Sequence, residues 1–282
     1  MQPDYHFKNI HHQDKDDPFL GLRLVEFSAT DLCNRECVFC PHVDPTIFPN
    51  NNVYLDASIV ETVVEDLVKH NYKGGIVFSG YGEPTLNRNI CNLIKSASKH
   101  FPVQLFTNGD KIFDSDWYTI DDFIEAGLQS MYIGMYDDRN QVNNRLPKIL
   151  NYSTKIKIEV FRAYELSPNA GITFVNRAGT VLNKQYLNTP CFLPHTKAVI
   201  DWDGSLQLCP NDWTKFGGLG NVQETSFSTL WKSDKLNDIR KKLMVDRTKA
   251  GSPCSTCNEY VMSVDENFVK EIWTPFLEEN KG

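Results

Sequence analysis

Along the first two thirds of the chain, apolar residues alternate between two spacings. Short runs rich in β-branched and aromatic residues, "LRLVEFSAT" (22–30), "GGIVFSG" (74–80), "VQLFTNG" (103–109), "SMYIGMY" (130–136) and "KIKIEVF" (155–161), read as strands. Between them the apolar positions step by three and four. In "DASIVETVVEDLVKH" the residues Val60, Val63, Val64, Leu67 and Val68 form one helical stripe behind the N-cap Asp56. Ile90, Leu93, Ile94, Ala97 and Phe101 form a second stripe, stopped by Pro102, and "YTIDDFIEAG" gives a further helix closed by Gly127. Such alternation predicts parallel strands joined by right-handed crossovers. About five or six units precede residue 185, short of the roughly eight that close a barrel. The predicted fold class is therefore α/β, a partial (β/α)6-type open barrel. From about residue 188 the pattern changes. "KAVIDWDGSLQLC" reads as a hairpin with Asp203-Gly204 at its turn, and "SFSTLWKSDKLNDIRKKLMV" as two short helices. The expected organisation is an N-terminal extension (1–20), the partial barrel (21–187), a small β-hairpin-plus-helix module bearing cysteines (188–260) and a C-terminal helix or tail (261–282).

The 282 residues are enough to bury a sizeable core. A net charge of −7 argues against a broad nucleic-acid surface. No apolar run approaches the roughly 18 residues of a membrane span, and the polar start "MQPDYHFKNIHHQDKDDP" lacks the apolar centre of a signal peptide. The expected compartment is the cytoplasm, where eight cysteines point to metal or catalytic thiols rather than disulfides.

Spacing separates the thiols into groups. "DLCNRECVFCPH" (31–42) packs Cys33, Cys37 and Cys40 onto one loop after the first strand. Three such thiolates can hold three corners of an iron–sulfur cube and leave one iron without a protein ligand. Structural zinc is the alternative, but it wants four closed ligands, and His42, two residues beyond Cys40, is poorly placed to be the fourth. Further along, Cys191, Cys209, Cys254 and Cys257 can make a complete tetrahedral site from the hairpin and a terminal C-x2-C. On spacing alone that set suits zinc as well as a cluster. Cys91 is left over, on a helix, and reads as a packed core thiol. The three-cysteine loop, "SGYGEP" (79–84) and "TNGD" (107–110) each follow a different strand. In an open parallel sheet, ligands bind beyond the C-terminal strand ends, so these loops should converge on one mouth.

"CNRECVFC" resembles the C-x3-C-x2-C loop of the radical S-adenosylmethionine (SAM) enzymes, including the aromatic Phe39 before the last cysteine. The resemblance implies that SAM chelates the free iron of a 4Fe–4S cluster through its amino and carboxylate groups. "SGYGEP" resembles the family's GGEP motif; Gly82 and Glu83 match it and Tyr81 departs at the first glycine. With Asn108 of "TNGD" and Phe39, these residues are implied as SAM contacts. The segment from Cys191 to Cys257 resembles the twitch module, a shortened SPASM domain with one auxiliary 4Fe–4S cluster, and "GLGNVQETSFSTLWKSDKLNDIRKKL" follows that module's usual text.

In this family a 5′-deoxyadenosyl radical takes a hydrogen atom from the substrate, and an external one-electron reductant such as flavodoxin or ferredoxin starts the reaction. A fully ligated auxiliary cluster has no corner for substrate, and its plain use is to accept an electron. "VNRAG" (175–179) resembles the "NRGG" segment of family members that oxidise an alcohol of a cyclitol, which makes Arg177 the candidate catalytic residue, binding the reacting oxygen. Asn211 and Asp212 of "PNDW", after Cys209, are candidate contacts for a small polyhydroxylated substrate. The implied activity is oxidation of a carbohydrate or cyclitol alcohol to a ketone. The alternatives are a radical SAM epimerase, whose hydrogen donor would have to be Cys91, a peptide-modifying enzyme, and a metal-binding module without SAM chemistry.

Overall fold

A computed structural model describes residues 12–162, 175–181, 187–216, 218–259 and 266–279. The strands β1 (Leu24–Ser28), β2 (Gly75–Ser79), β3 (Val103–Thr107), β4 (Ser130–Met135) and β5 (Lys157–Arg162) lie side by side in chain order, all parallel. Helices α1 (Ala57–Lys69), α2 (Ile90–Ser98), α3 (Asp110–Phe113), α4 (Ile120–Glu125) and α5 (Arg139–Leu150) occupy the crossovers. Asp56 caps α1 by accepting the Ser58 N–H, and the helix buries Ile59, Val60, Val63, Val64 and Leu67. Each contributes about 1.5–3 kcal/mol. Val68, expected on that stripe, is 44% exposed. It follows Leu67 by about 100° around the helix, past the edge of the buried arc. Helix α5 is not legible in the apolar pattern, because its buried face is Gln141, Val142, Arg145 and Ile149 and Pro147 interrupts it.

Strand residues alternate between faces, and the two faces differ. Val25, Phe27, Ile76, Phe78, Val103, Leu105, Met131 and Ile133 join the helices in the hydrophobic core. On the opposite face Glu26, Gln104 and Ser130 are also buried, in a register where Glu26 and Gln104 flank Val77 and Gln104 pairs with Ser130. Ser79 donates to Glu26 at 2.7 Å. Val77, Phe106 and Tyr132 share this face, the last two stacked with centroids 4.3 Å apart, so the inside of the half-barrel mixes buried polar and apolar side chains.

The hairpin is β6 (Lys197–Ile200) and β7 (Leu206–Gln207), antiparallel, with Gly204 at φ +84 in its turn. Read from sequence it belongs to the second module. In the structure β6 instead pairs in parallel with β1, giving the open order β5-β4-β3-β2-β1-β6-β7. The sixth parallel strand therefore comes from the hairpin. Two causes are visible: β6 covers the exposed edge of β1, and Lys197 ion-pairs with buried Glu26.

Beyond the hairpin lie α7 (Phe227–Trp231), α8 (Asp234–Leu243) and the C-terminal α9 (Glu266–Glu279); the short α6 (Leu193–Thr196) leads into β6. Helix α9 buries Val269, Ile272, Trp273, Phe276 and Leu277. The described part of the N-terminal stretch is built into the core, with Phe19 and Leu20 fully buried and Phe19 against Tyr72 and Phe227. Residues 1–11 and the remainder of 261–282 lie outside the described residues. Among the described residues no helix is long and apolar enough to cross a membrane.

Candidate active site

The three-cysteine loop leaves β1 and is pinned before it presents any thiol. Asn50 brackets Cys33, accepting its N–H at 2.7 Å and donating to its carbonyl at 2.9 Å. Arg35 donates to both carboxylate oxygens of Asp110, at 2.7 and 2.8 Å, and to Asp137 at 2.5 Å. Burial works against the Asp110 charge, but the bonds from Arg35 and Arg145 hold its carboxyl below the usual range. The loop is thereby tied to the ends of β3 and β4. Its thiols are half-buried and close enough to act on one another. Burial pushes Cys33 up to about 12 and Cys37 up to about 11, and the neighbouring thiols add to both. His42 does not complete the set. Its Nε2 lies 2.8 Å from the Tyr81 carbonyl, and its ring meets Phe48 and Trp213 edge-on.

The glycine motif lies directly against this loop. A Cβ on Gly82 would come within 2.4 Å of the Thr30 carbonyl and 2.5 Å of the Leu32 carbonyl, so only glycine fits. Glu83 is fully enclosed. It accepts from Thr85 (N–H 3.0 Å, hydroxyl 2.6 Å), the Thr107 hydroxyl at 2.6 Å and the Asn108 N–H at 2.7 Å. Burial raises its carboxyl above the usual range against these bonds. Glu83 therefore staples the β2 and β3 ends together and places a carboxylate beside Cys33, on which its charge acts. The Asn108 side chain donates to Asn34 of the cysteine loop at 3.0 Å. Phe39 stacks on Tyr136, with centroids 6.0 Å apart.

Tyr136, at the end of β4, did not emerge from the sequence. The charges of Cys37, Glu83, Cys33 and Cys40 all act on its hydroxyl, which places it at this site. Gly134 was the available signal: a Cβ there would lie 2.3 Å from the Tyr136 ring, so the strand glycine marks a close approach.

The other four cysteines come from three separate stretches of chain and meet around one small cavity, lined also by Ala178, Asn211, Arg247 and Glu259. Burial raises all four thiols, Cys191 to about 11, Cys254 to about 12, and Cys209 well above the normal range. Among the described residues, no three histidine, cysteine or acidic side chains are grouped tightly enough for a single metal ion. Four thiols that do not converge on a single ion position suit a cube, which spreads its thiolates over four irons, better than mononuclear zinc. Arg247 holds the walls together by donating to the carbonyls of Thr189, Pro190 and Glu259 at 3.2, 3.1 and 2.8 Å. Cys91 is half-buried against the barrel core.

Between the two sets stands Arg177. Its charge acts on Cys40 of the first set, and its Nη1 donates to Asn211 Oδ1 at 3.0 Å beside the second. Asn211 in turn donates to buried Glu259 at 3.0 Å, a carboxylate that the sequence did not single out. Asp212 sits differently: its carboxylate accepts from the Thr214 hydroxyl at 2.9 Å and the Phe216 N–H at 3.1 Å, bracing its own loop. Lys215, on that loop, reaches Asp31 and Asp201 at the ends of β1 and β6, at 2.7 Å each. Burial nevertheless pushes Asp201 up to about 6.

A half-barrel mouth with three thiols on one loop, the glycine motif beside them, and four more thiols facing that mouth defines an iron–sulfur radical enzyme, and residues 27–180 match the model of the radical SAM superfamily. The chain belongs to that superfamily. Residues 191–258 match the SPASM iron–sulfur cluster-binding domain. SAM with its bound 4Fe–4S cluster and an auxiliary cluster are therefore the cofactors. The chain is similar to the S-adenosyl-L-methionine-dependent 2-deoxy-scyllo-inosamine dehydrogenase of Niallia circulans, 24% identical over 256 residues that cover 87% of this chain and 96% of that one. In structure it is similar to BtrN in complex with AdoMet and 2-DOIA, with TM-score 0.72 and 21% identity over 86% of this chain and 95% of that one. It is also similar to anSMEcpe with bound AdoMet, with TM-score 0.53 and 14% identity over 91% and 96% of the two chains.

Proposed function

We infer that this protein oxidises a secondary alcohol of a small polyhydroxylated molecule, a cyclitol or carbohydrate, to the ketone. The observation that carries this reading is the placement of Arg177, hydrogen-bonded to Asn211 of the auxiliary site and near enough to Cys40 for its charge to act on that thiol. A substrate bound there lies between the two cofactors. When bound, the clusters and SAM supply a radical that removes the carbinol hydrogen atom and an acceptor for the second electron.

The chain's own residues do the rest. A guanidinium offers donors and no acceptor, so Arg177 donates to the carbinol oxygen and stabilises the negative charge left there when the hydroxyl proton passes to solvent water. Asn211, fixed by Glu259, aims the guanidinium. Gly82, Glu83, Asn108 and Phe39 surround the corner where SAM's amino acid end belongs, with Glu83 offering a carboxylate to the ammonium. An external one-electron carrier, flavodoxin or ferredoxin, supplies the initial electron in a cytoplasmic setting.

The test is anaerobic reconstitution followed by dithionite, SAM and a panel of aminocyclitols and polyols. The expected result is 5′-deoxyadenosine together with a ketone in equal amounts. Absence of 5′-deoxyadenosine with every substrate overturns the reading, and solvent deuterium appearing on product carbon would assign an epimerase instead.

A further inference from the structure

In the stretch Gly80-Tyr81-Gly82 the two glycines have no room for a side chain. A Cβ on Gly80 would lie 2.4 Å from the Ser28 hydroxyl oxygen, and one on Gly82 2.4 Å from the Thr30 carbonyl. Position 81 between them carries a complete phenol, 3% exposed. The room it uses leads away from β1 and toward the auxiliary site. The Tyr81 hydroxyl donates to the Asp212 carbonyl at 3.0 Å, with the Cys209 carbonyl a longer second acceptor at 3.4 Å. Cys209 is one of the four auxiliary thiols. At the other end of the same residue, the Tyr81 carbonyl lies 2.8 Å from His42 Nε2, two residues past Cys40, and its N–H reaches Ser28 Oγ at 3.2 Å.

The ring is boxed by one aromatic from each loop it joins. Trp213 of the auxiliary loop meets it edge-on, with centroids 5.0 Å apart, and Phe48, downstream of the first cysteines, lies at 5.7 Å. Phe48 and Trp213 also touch each other, at 4.8 Å. These three form a buried cluster separate from the main core, with Cys40 packed against it. Lys215 Nζ stands 5.1 Å from the Tyr81 ring centroid, its charge against the ring. Ring packing of this kind fills space but has little directional preference. The hydroxyl, held to two main-chain carbonyls inside a buried site, fixes direction and distance.

We propose that Tyr81 is a positioning residue that sets the placement of the Cys209–Phe216 loop relative to the three-cysteine loop, holding the two cofactor sites at a fixed separation across the substrate. The glycine that the superfamily motif carries at this position can make neither the hydroxyl bond nor the ring contacts. The residue thus takes a part in this chain beyond the motif's usual contact with SAM.

The experiment compares the reconstituted full chain with Tyr81→Phe and Tyr81→Leu. Tyr81→Phe keeps the ring in its box and removes only the hydroxyl. The expected result is unchanged iron content in Tyr81→Phe, about tenfold faster amide exchange across 209–216, and unchanged exchange in β1–β4. In a Cys33→Ala, Cys37→Ala, Cys40→Ala background, which leaves only the auxiliary cluster to be observed, Tyr81→Phe should also move its electron paramagnetic resonance spectrum. Tyr81→Leu should show the same changes in larger measure. Exchange within twofold of wild type together with an unaltered spectrum overturns the proposal. Loss of the auxiliary iron in Tyr81→Phe also overturns it, since Tyr81 would then build the site rather than place it. The proposal rests on the two-cluster reading, and the two fail separately. Wild-type protein without auxiliary iron sinks that reading, whereas two intact clusters with an indifferent hydroxyl sink only the role of Tyr81.

Discussion

The two thiol sites are built in opposite ways. Cys33, Cys37 and Cys40 come from one loop of eight residues and are half-exposed, and among the described residues His42, the nearest candidate for a fourth ligand in the chain, is turned onto Tyr81. Cys191, Cys209, Cys254 and Cys257 come from three stretches of chain and enclose a cavity braced by buried Arg247, with Cys254 and Cys257 themselves buried. The first arrangement leaves a place for an exchangeable ligand. The second is closed, and closure suits a group that keeps its protein ligands through the reaction. A reactive site needs an open coordination position near solvent, whereas a permanent one gains from complete ligation and exclusion of water.

The largest expected effect breaks the comparison outright. Replacing Cys33, Cys37 and Cys40 together by alanine should lower iron from about eight atoms to about four per chain and take 5′-deoxyadenosine formation below detection. The Cys254→Ala, Cys257→Ala pair should instead retain SAM cleavage and lose ketone formation. Iron analysis and product chromatography read both. Equal loss of SAM cleavage in the two sets would erase the functional distinction between the sites.

Next comes the residue that stands between them. Arg177→Ala should reduce ketone formation by about 10²–10³-fold, the scale of removing one preorganised donor at a reacting oxygen. 5′-Deoxyadenosine should continue to form, uncoupled from product. Arg177→Lys should recover little, because one ammonium cannot bind Asn211 and the substrate oxygen in the same plane.

A smaller effect sharpens the contrast through pH. Asp201 sits at the end of β6 with its carboxyl pushed by burial up to about 6, even beside Lys215. Because the folded chain binds this proton more tightly than the unfolded chain, the contribution is complete below about 4 and is lost as pH rises through about 6, worth up to about 3 kcal/mol. Asp201→Asn should flatten the stability profile between pH 4 and 6 and leave it unchanged above pH 7 in slope, as read by thermal unfolding of the reconstituted protein. The smallest effect is expected for Cys91→Ala: about 1 kcal/mol or less in stability, unaltered iron, and undiminished ketone formation. Loss of turnover there would revive the epimerase reading, in which a thiol returns a hydrogen atom.

How much was legible follows from distance along the chain. The strands β1–β5 were readable because each is a short apolar run between turn signals, and α1 because its stripe and the Asp56 cap agree. Helix α5 was not, since Gln141 and Arg145 take buried positions by bonding the ends of β3 and β4 rather than by being apolar. The Cys33 loop could be read because its ligands are local. Tyr136 was marked only by the strand glycine Gly134 and Glu259 by nothing nearby, because each matters through what folds against it.

The sequence by itself determined the α/β alternation, the incomplete barrel and, through the motif it resembles, the chemistry of the first thiol loop, because strand period, helix period and a C-x3-C-x2-C motif are properties of neighbouring residues. Tertiary structure alone decided that the hairpin would add β6 to the β1 edge, that Glu26, Gln104 and Ser130 would be buried on the inner sheet face, and that Tyr81, Asn211 and Arg177 would link two sites more than a hundred residues apart in the chain. The reason is that a buried hydrogen bond or ion pair forms wherever desolvated partners can meet, and which partners meet is set by the packing of whole elements, not by the residues on either side.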